Sequence, residues 1–136
     1  CKDARQETYE SYCLERGLDS SGKIWIADRF GAEDGYQMTK KAIEAGKLPD
    51  AFLYASDELA LGGYRAFSES GIQVGKDISI VSIDNLPYAS YLTPPLTTVA
   101  LNMALLGKTA AMALDSQIRG RDYPLSFFTP VELIKR

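Results

Sequence analysis

Ile78, Ser79, Ile80, Val81 and Ser82 form an unbroken run of β-branched or small residues, and a carboxylate, Asp84, stands at its carboxyl end. Such a run suits a strand buried on both faces, as in a parallel sheet whose crossovers lay helices above and below it. Two further short apolar segments, Lys23 to Ala27 and Ala51 to Ala55, read as strands, with helix-length stretches between the three. A parallel neighbour can be reached only by a crossover, so the alternation predicts βαβ units. The expected fold is α/β: a three-layer parallel sheet flanked by helices.

The helices are marked by their ends. Ala4 to Arg16 reads as a helix with Tyr9, Tyr12 and Cys13 on one face and Gly17 as its left-handed stop, and Glu33 to Ala45 as a second, closed by Gly46. Ser56 or Asp57 caps a third that runs to Ser70 and stops at Gly71. Inside it Gly62 and Gly63 each cost on the order of 1 kcal/mol relative to alanine, a loss that close approach of another element offsets. Pro94 and Pro95 bar a helix, and Leu96 to Ala100 is extended. Asn102 then caps a long helix to Arg119 with Met103, Leu106, Ala110 and Leu114 inward and Gly120 at its end. Leu125 to Ile134 reads as a last extended segment, where Pro130 suits a sheet edge or a break.

Composition removes several functions. The 136 residues, 46% apolar and 24% charged, are those of an ordinary globular domain, and no apolar run nears the roughly 20 residues needed to span a bilayer. There is no histidine, and the two cysteines, Cys1 and Cys13, lack metal-site spacing, so neither a zinc site nor a histidine-based nucleophilic mechanism is expected. A net charge of −3 argues against this segment gripping a phosphate backbone.

Ligands of open α/β sheets bind beyond the carboxyl ends of the strands. Asp84 follows the third expected strand, Ser56 the second, and Phe30 lies just past the first, so all three fall at one edge. An ionised aspartate accepts from two vicinal hydroxyls and an aromatic ring offers a flat face to a sugar ring. Taken alone, Asp84 reads as a turn former with Asn85, and Phe30 is equally a buried loop anchor. Asp57 reads as a helix cap, and Asp50 with Asp57, or Glu33 with Asp34, as solvated surface carboxylates.

Four blocks stand in one order: Ser56-Asp57-Glu58-Leu59-Ala60-Leu61-Gly62, Gly71-Ile72-Gln73-Val74, the strand ending at Asp84, and Leu92-Thr93-Pro94-Pro95-Leu96-Thr97-Thr98-Val99. Together they resemble the regulatory core of the LacI/GalR family of bacterial transcriptional repressors, over Asp3 to Glu132. The resemblance implies a periplasmic-binding-protein-like domain, mostly its C-terminal lobe. Residues 1–95 and 125–136 would form that lobe, with 96–124 a crossover and a helix that normally packs on a missing N-terminal lobe. The start within a helix reads as that of a fragment. Asp84 matches the acidic residue that binds the effector, Phe30 the aromatic against its ring, and Arg5, four residues before Tyr9, the arginine that donates to it. Ser56 stands where the family usually has asparagine. Ser82 and Ile83 replace the usual glycine and aromatic, which would alter the pocket wall. A cation in a helix's first turn opposes the dipole, so something else must hold Arg5 there.

The implied function is the ligand-sensing domain of a sugar-responsive repressor. It would bind a small effector in an interlobe cleft to control DNA binding by a headpiece absent here, without cofactor or catalysis. A cytoplasmic homodimer with no membrane association is implied, pairing through Tyr88 to Leu92 and the exposed side of Leu59 to Phe67. The alternative is a periplasmic sugar-binding protein of a transport system.

Overall fold

In chain order the computed structural model holds α1 (Ala4–Glu15), α2 (Ala32–Glu44), β1 (Ala51–Leu53), α3 (Asp57–Glu69), β2 (Ser79–Asp84), a 3-10 turn (Pro87–Tyr91), β3 (Thr97–Leu101), α4 (Met103–Ile118) and β4 (Val131–Ile134). It describes residues 3–46, 48–121 and 126–136. The sheet order is β1-β2-β3-β4. β1 and β3 both run parallel to β2, with Phe52 opposite Ile80 and Ser82 opposite Thr98. β4 runs antiparallel to β3. Pro130, which has no N–H to give a ladder, falls just before this edge strand. The expected last segment begins at Leu125, which lies outside the described residues, as does Cys1.

The helix ends behave as their chemistry requires. Gly17, Gly46, Gly71 and Gly120 all take positive φ just beyond a helix. Ser56 caps α3 and Asn102 caps α4, each accepting from the amide three residues on. α3 lies against β2, and α2 packs across α3 where Gly35 and Gly62 leave no side chain between the backbones. Phe67 at the centre of the core is fully buried, with Ala60, Ile78, Ile80, Ala89, Leu96 and Tyr54 around it. Phe52 stacks on Tyr54 and meets Phe67 edge-on at 5.5 Å. Buried Tyr54 keeps its hydroxyl satisfied by Thr39 at 2.7 Å, and burial pushes the phenol up to about 12.

Four expectations need correction. Lys23 to Ala27 forms no strand: β1 is three residues long and its ladder goes to β2, and Trp25 is held instead by stacking on Phe52 at 5.5 Å. β2 is not buried on both faces: Ile78, Ile80 and Ser82 are buried while Ser79 is exposed and Val81 and Ile83 are half-covered. On α1 only Cys13 is buried, and Tyr12 lies outward beneath Arg16. On α4 no residue is buried, and Met103, Leu106, Ala110 and Leu114 face solvent. The apolar stripe of α4 was legible, but the surface it would cover is not among the described residues.

Candidate functional site

β2 ends at Asp84 and β1 leads through Tyr54 and Ala55 into α3, so the carboxyl ends of two parallel strands open on one edge. Arg5 arrives there from α1. Its Nη1 donates to the Ala55 carbonyl at 2.7 Å, Nε and Nη2 grip the Asp3 carboxylate at 2.8 and 2.7 Å, and the guanidinium carbon lies 4.8 Å from the centre of the Phe30 ring. This answers what holds a cation in the first turn of a helix. Asp3 is the N-cap and also the counter-ion, and its bonds from Arg5 hold the carboxyl down to about 2. A guanidinium carries five N–H donors. Among the described residues three are used, which leaves the fork able to donate further.

Asp84 is half-buried, and it and Arg5 lie close enough for each to feel the other's charge. Burial pushes the Asp84 carboxyl above its ordinary value; the nearby Asp57 adds to the push and Arg5 opposes it. Both Asp84 and Asn85 have positive φ, 119° and 55°. Conformations of this kind cost on the order of 1–3 kcal/mol for residues other than glycine and persist only when the surroundings fix them. So Asp84 is a turn residue and a half-buried acceptor together.

Arg5, Phe30 and Asp84 are therefore brought together, and Ser56 comes to the same edge in a different role. Ser56 is buried, 6% exposed, and its Oγ accepts the Leu59 amide at 3.3 Å as the cap of α3. Asp57 overturns two expectations: it is neither the cap nor a surface carboxylate, but fully buried. It accepts from the Ser82 and Thr98 hydroxyls and from the Leu86 amide. Ser82 in turn is fully buried against Asp57, so it lines no pocket wall. Tyr88 also went unforeseen as part of this corner. Its hydroxyl is buried beside Glu58, and burial, with the Glu58, Asp57 and Asp84 charges, pushes the phenol well up.

A guanidinium, an aromatic face and a carboxylate at one sheet edge can donate to, stack on and accept from a polyhydroxylated ring. The periplasmic binding protein-like domain matches residues 2–136 of the chain. The HTH-type transcriptional regulator GanR of Bacillus subtilis (strain 168) is 34% identical over 137 residues, 98% of this chain and 42% of its own length. A crystal structure of the lac repressor dimer bound to operator and the anti-inducer ONPF superposes with a TM-score of 0.85 at 34% identity, over 97% of this chain and 46% of that one. The chain belongs to the LacI/GalR family. A LacI family transcriptional regulator from Enterococcus faecium with bound ribose matches at a TM-score of 0.80 and 30% identity, over 98% of this chain and 49% of that one. The chain thus spans under half the length of each of these LacI/GalR relatives, which are regulators rather than enzymes. Among its described residues no group of three histidine, cysteine, aspartate or glutamate side chains is placed to hold a metal ion, and no helix is long and apolar enough to cross a membrane.

The raised carboxyl of Asp84 sets fold against ligand acceptance. A carboxyl whose folded value lies above its unfolded one stabilises the fold below the unfolded value and loses that contribution as pH rises through the folded value. Asp84→Asn removes the buried charge while keeping nearly the same side-chain shape at the same strained φ of 119°. The variant is expected to melt above the unaltered protein at pH 7, with the gap closing as pH falls through the titration of Asp84. Melting curves of both proteins from pH 3.5 to 8 check this; a gap that does not narrow in acid rules it out.

Proposed function

We propose that this chain is the effector-sensing part of a sugar-responsive transcriptional repressor, with Arg5, Phe30 and Asp84 contacting the effector and Ser56 bordering it. The observation that carries the reading is the meeting of a guanidinium, an aromatic ring and a half-buried carboxylate beyond the carboxyl ends of parallel strands. Asp84 accepts from vicinal hydroxyls, Arg5 donates, and Phe30 covers an apolar ring face. Relatives named for bound ribose and for the anti-inducer ONPF support a sugar as the class.

Among the described residues, those up to Pro95 and those from 126 on then form one lobe together with β3 (Thr97–Leu101), which lies in its sheet between β2 and β4, and α4 (Met103–Ile118) is the helix that packs on a second lobe. The exposed Met103, Leu106 and Leu114 on α4 support that division. Effector binding closes the lobes and biases the geometry of a DNA-binding headpiece that the chain does not include. The whole protein works as a cytoplasmic homodimer, as a repressor must meet its operator. A pairing surface at Tyr88 to Leu92 and the outer side of Leu59 to Phe67 is supported by Tyr91, 85% exposed. The transport-protein alternative gains nothing from the relatives, which are named as regulators.

A thermal-shift screen of the full-length protein against monosaccharides, ribose and ONPG tests the reading, because a ligand that binds only the folded state raises the melting temperature. At least one sugar is expected to shift it. Asp84→Ala is expected to weaken that sugar by about 10- to 100-fold, the roughly 1.5–3 kcal/mol of one hydrogen bond to a charged group. Undiminished affinity in Asp84→Ala, or no shift by any sugar, defeats the proposal.

A further inference from the structure

The turn that presents Asp84 is held by contacts beyond those of Asp84 itself, whose carboxylate meets the Asp57 amide. Two successive residues with positive φ, Asp84 and Asn85, need surroundings that over-determine them. The Leu86 amide donates to the Asp57 carboxylate at 2.7 Å. The Asn85 amide donates to the Thr98 hydroxyl at 3.2 Å, and that hydroxyl donates to Asp57 at 2.7 Å. Both amides that follow Asp84 therefore lead back to one carboxylate, the first through Thr98 and the second directly. Ser82, two residues before Asp84, donates to the same carboxylate, a bond no residue without a side chain could make there. Asp57 itself has no exposed surface, so it touches no effector. It is the first residue of α3, a helix locked backbone-to-backbone against α2, and so offers a fixed frame.

We propose that Asp57 is the positioning residue of this site: from α3 it sets, through Leu86, Thr98 and Ser82, the angle at which Asp84 leaves β2 and faces Arg5 and Phe30. The inference rests on the reading that Asp84 accepts the effector's hydroxyls, and adds the group that aims it. A buried carboxylate that only ties strands to a helix changes melting temperature without changing what the folded site binds. One that aims Asp84 changes affinity, and does so only while Asp84 is present.

The test is titration calorimetry on the full-length protein with ribose, galactose and ONPG, at a temperature where circular dichroism shows every variant folded. Asp57→Asn and Thr98→Val are each measured alone and combined with Asp84→Ala. Thr98→Val keeps the shape of the side chain and serves if Asp57→Asn does not fold. Expected are losses of tenfold or more from each variant alone, and less than twofold further loss in the Asp84→Ala background. Amide exchange without ligand is expected to accelerate at Leu86 and Asn85 while the buried Ala60 amide keeps its protection. Unchanged affinity in both variants, or equal losses with and without Asp84, overturns the positioning role while the sensing reading stands. Failure of the unaltered protein to bind any of the three sugars marks the failure of the sensing reading itself, and the positioning role falls with it.

Discussion

Replacing Phe67 with alanine is expected to cost the fold about 3–5 kcal/mol, the range for removing a buried aromatic side chain from a close-packed core. The ring has no exposed surface and sits where α3 meets the sheet, against Phe52 edge-on at 5.5 Å and beside Ile78, Ile80 and Leu96. Its neighbours cannot collapse into the vacancy, because they belong to separate elements held in register by the β1–β2 and β2–β3 ladders. A domain whose whole stability is on the order of 5–15 kcal/mol would be left marginal. Urea unfolding of the full-length protein followed by circular dichroism checks this. A midpoint within experimental error of the unaltered protein would show that Phe67 is not the centre of the core.

The alternation of apolar runs and capped helices made the sheet and its parallel order legible, and positive-φ glycines fall where the helix stops were read. The errors share a cause. Lys23 to Ala27 and the inward face of α4 were read from apolar residues, and an apolar residue announces that it wants cover, not that cover exists. In the first case Trp25 finds one aromatic partner without a ladder, and in the second the stripe stays open. The burial of β2 on both faces failed for the same reason.

At the proposed site, Asp84 was legible from the end of a strand that forms, Arg5 from family-like spacing, and Phe30 meets Arg5 although the strand expected before it, Lys23 to Ala27, does not form. Asp57 was not legible, since Ser and Asp in adjacent places are both competent caps and nothing local decides between them. Its partners Ser82 and Thr98 lie 25 and 41 residues away, and pair with it only because β2 and β3 run parallel in the observed register. Asp3 had a nearer signal: an N-cap carboxylate two residues before an arginine is its natural counter-ion.

Gly62→Val is expected to destabilise the protein by at least about 3 kcal/mol, above the usual 1–3 kcal/mol of overpacking, because what it meets cannot yield. A Cβ at position 62 would lie 1.8 Å from the Ala32 carbonyl oxygen and 2.5 Å from the Tyr36 nitrogen, both backbone atoms of α2. The facing glycine, Gly35, is as tightly placed, 2.1 Å from the Leu59 carbonyl oxygen, so the two helices approach through a pair of absent side chains. The helix propensity that valine gains over glycine, well under ~1 kcal/mol, cannot offset that. Moving α2 outward to make room would also pull Tyr36 from Glu69 and Thr39 from Tyr54, which it holds at 2.6 and 2.7 Å. Ser68 is the control: it is exposed on the same helix, so Ser68→Val adds a valine to α3 without a close crossing and should shift stability by only a few tenths of a kcal/mol, roughly the difference in helix propensity. The comparison separates close approach from helix propensity. If Gly62→Val and Ser68→Val moved the urea midpoint alike, the glycine crossing would not be what holds α2 on α3, and the rigid frame from which Asp57 reaches the Asp84 turn would need another source.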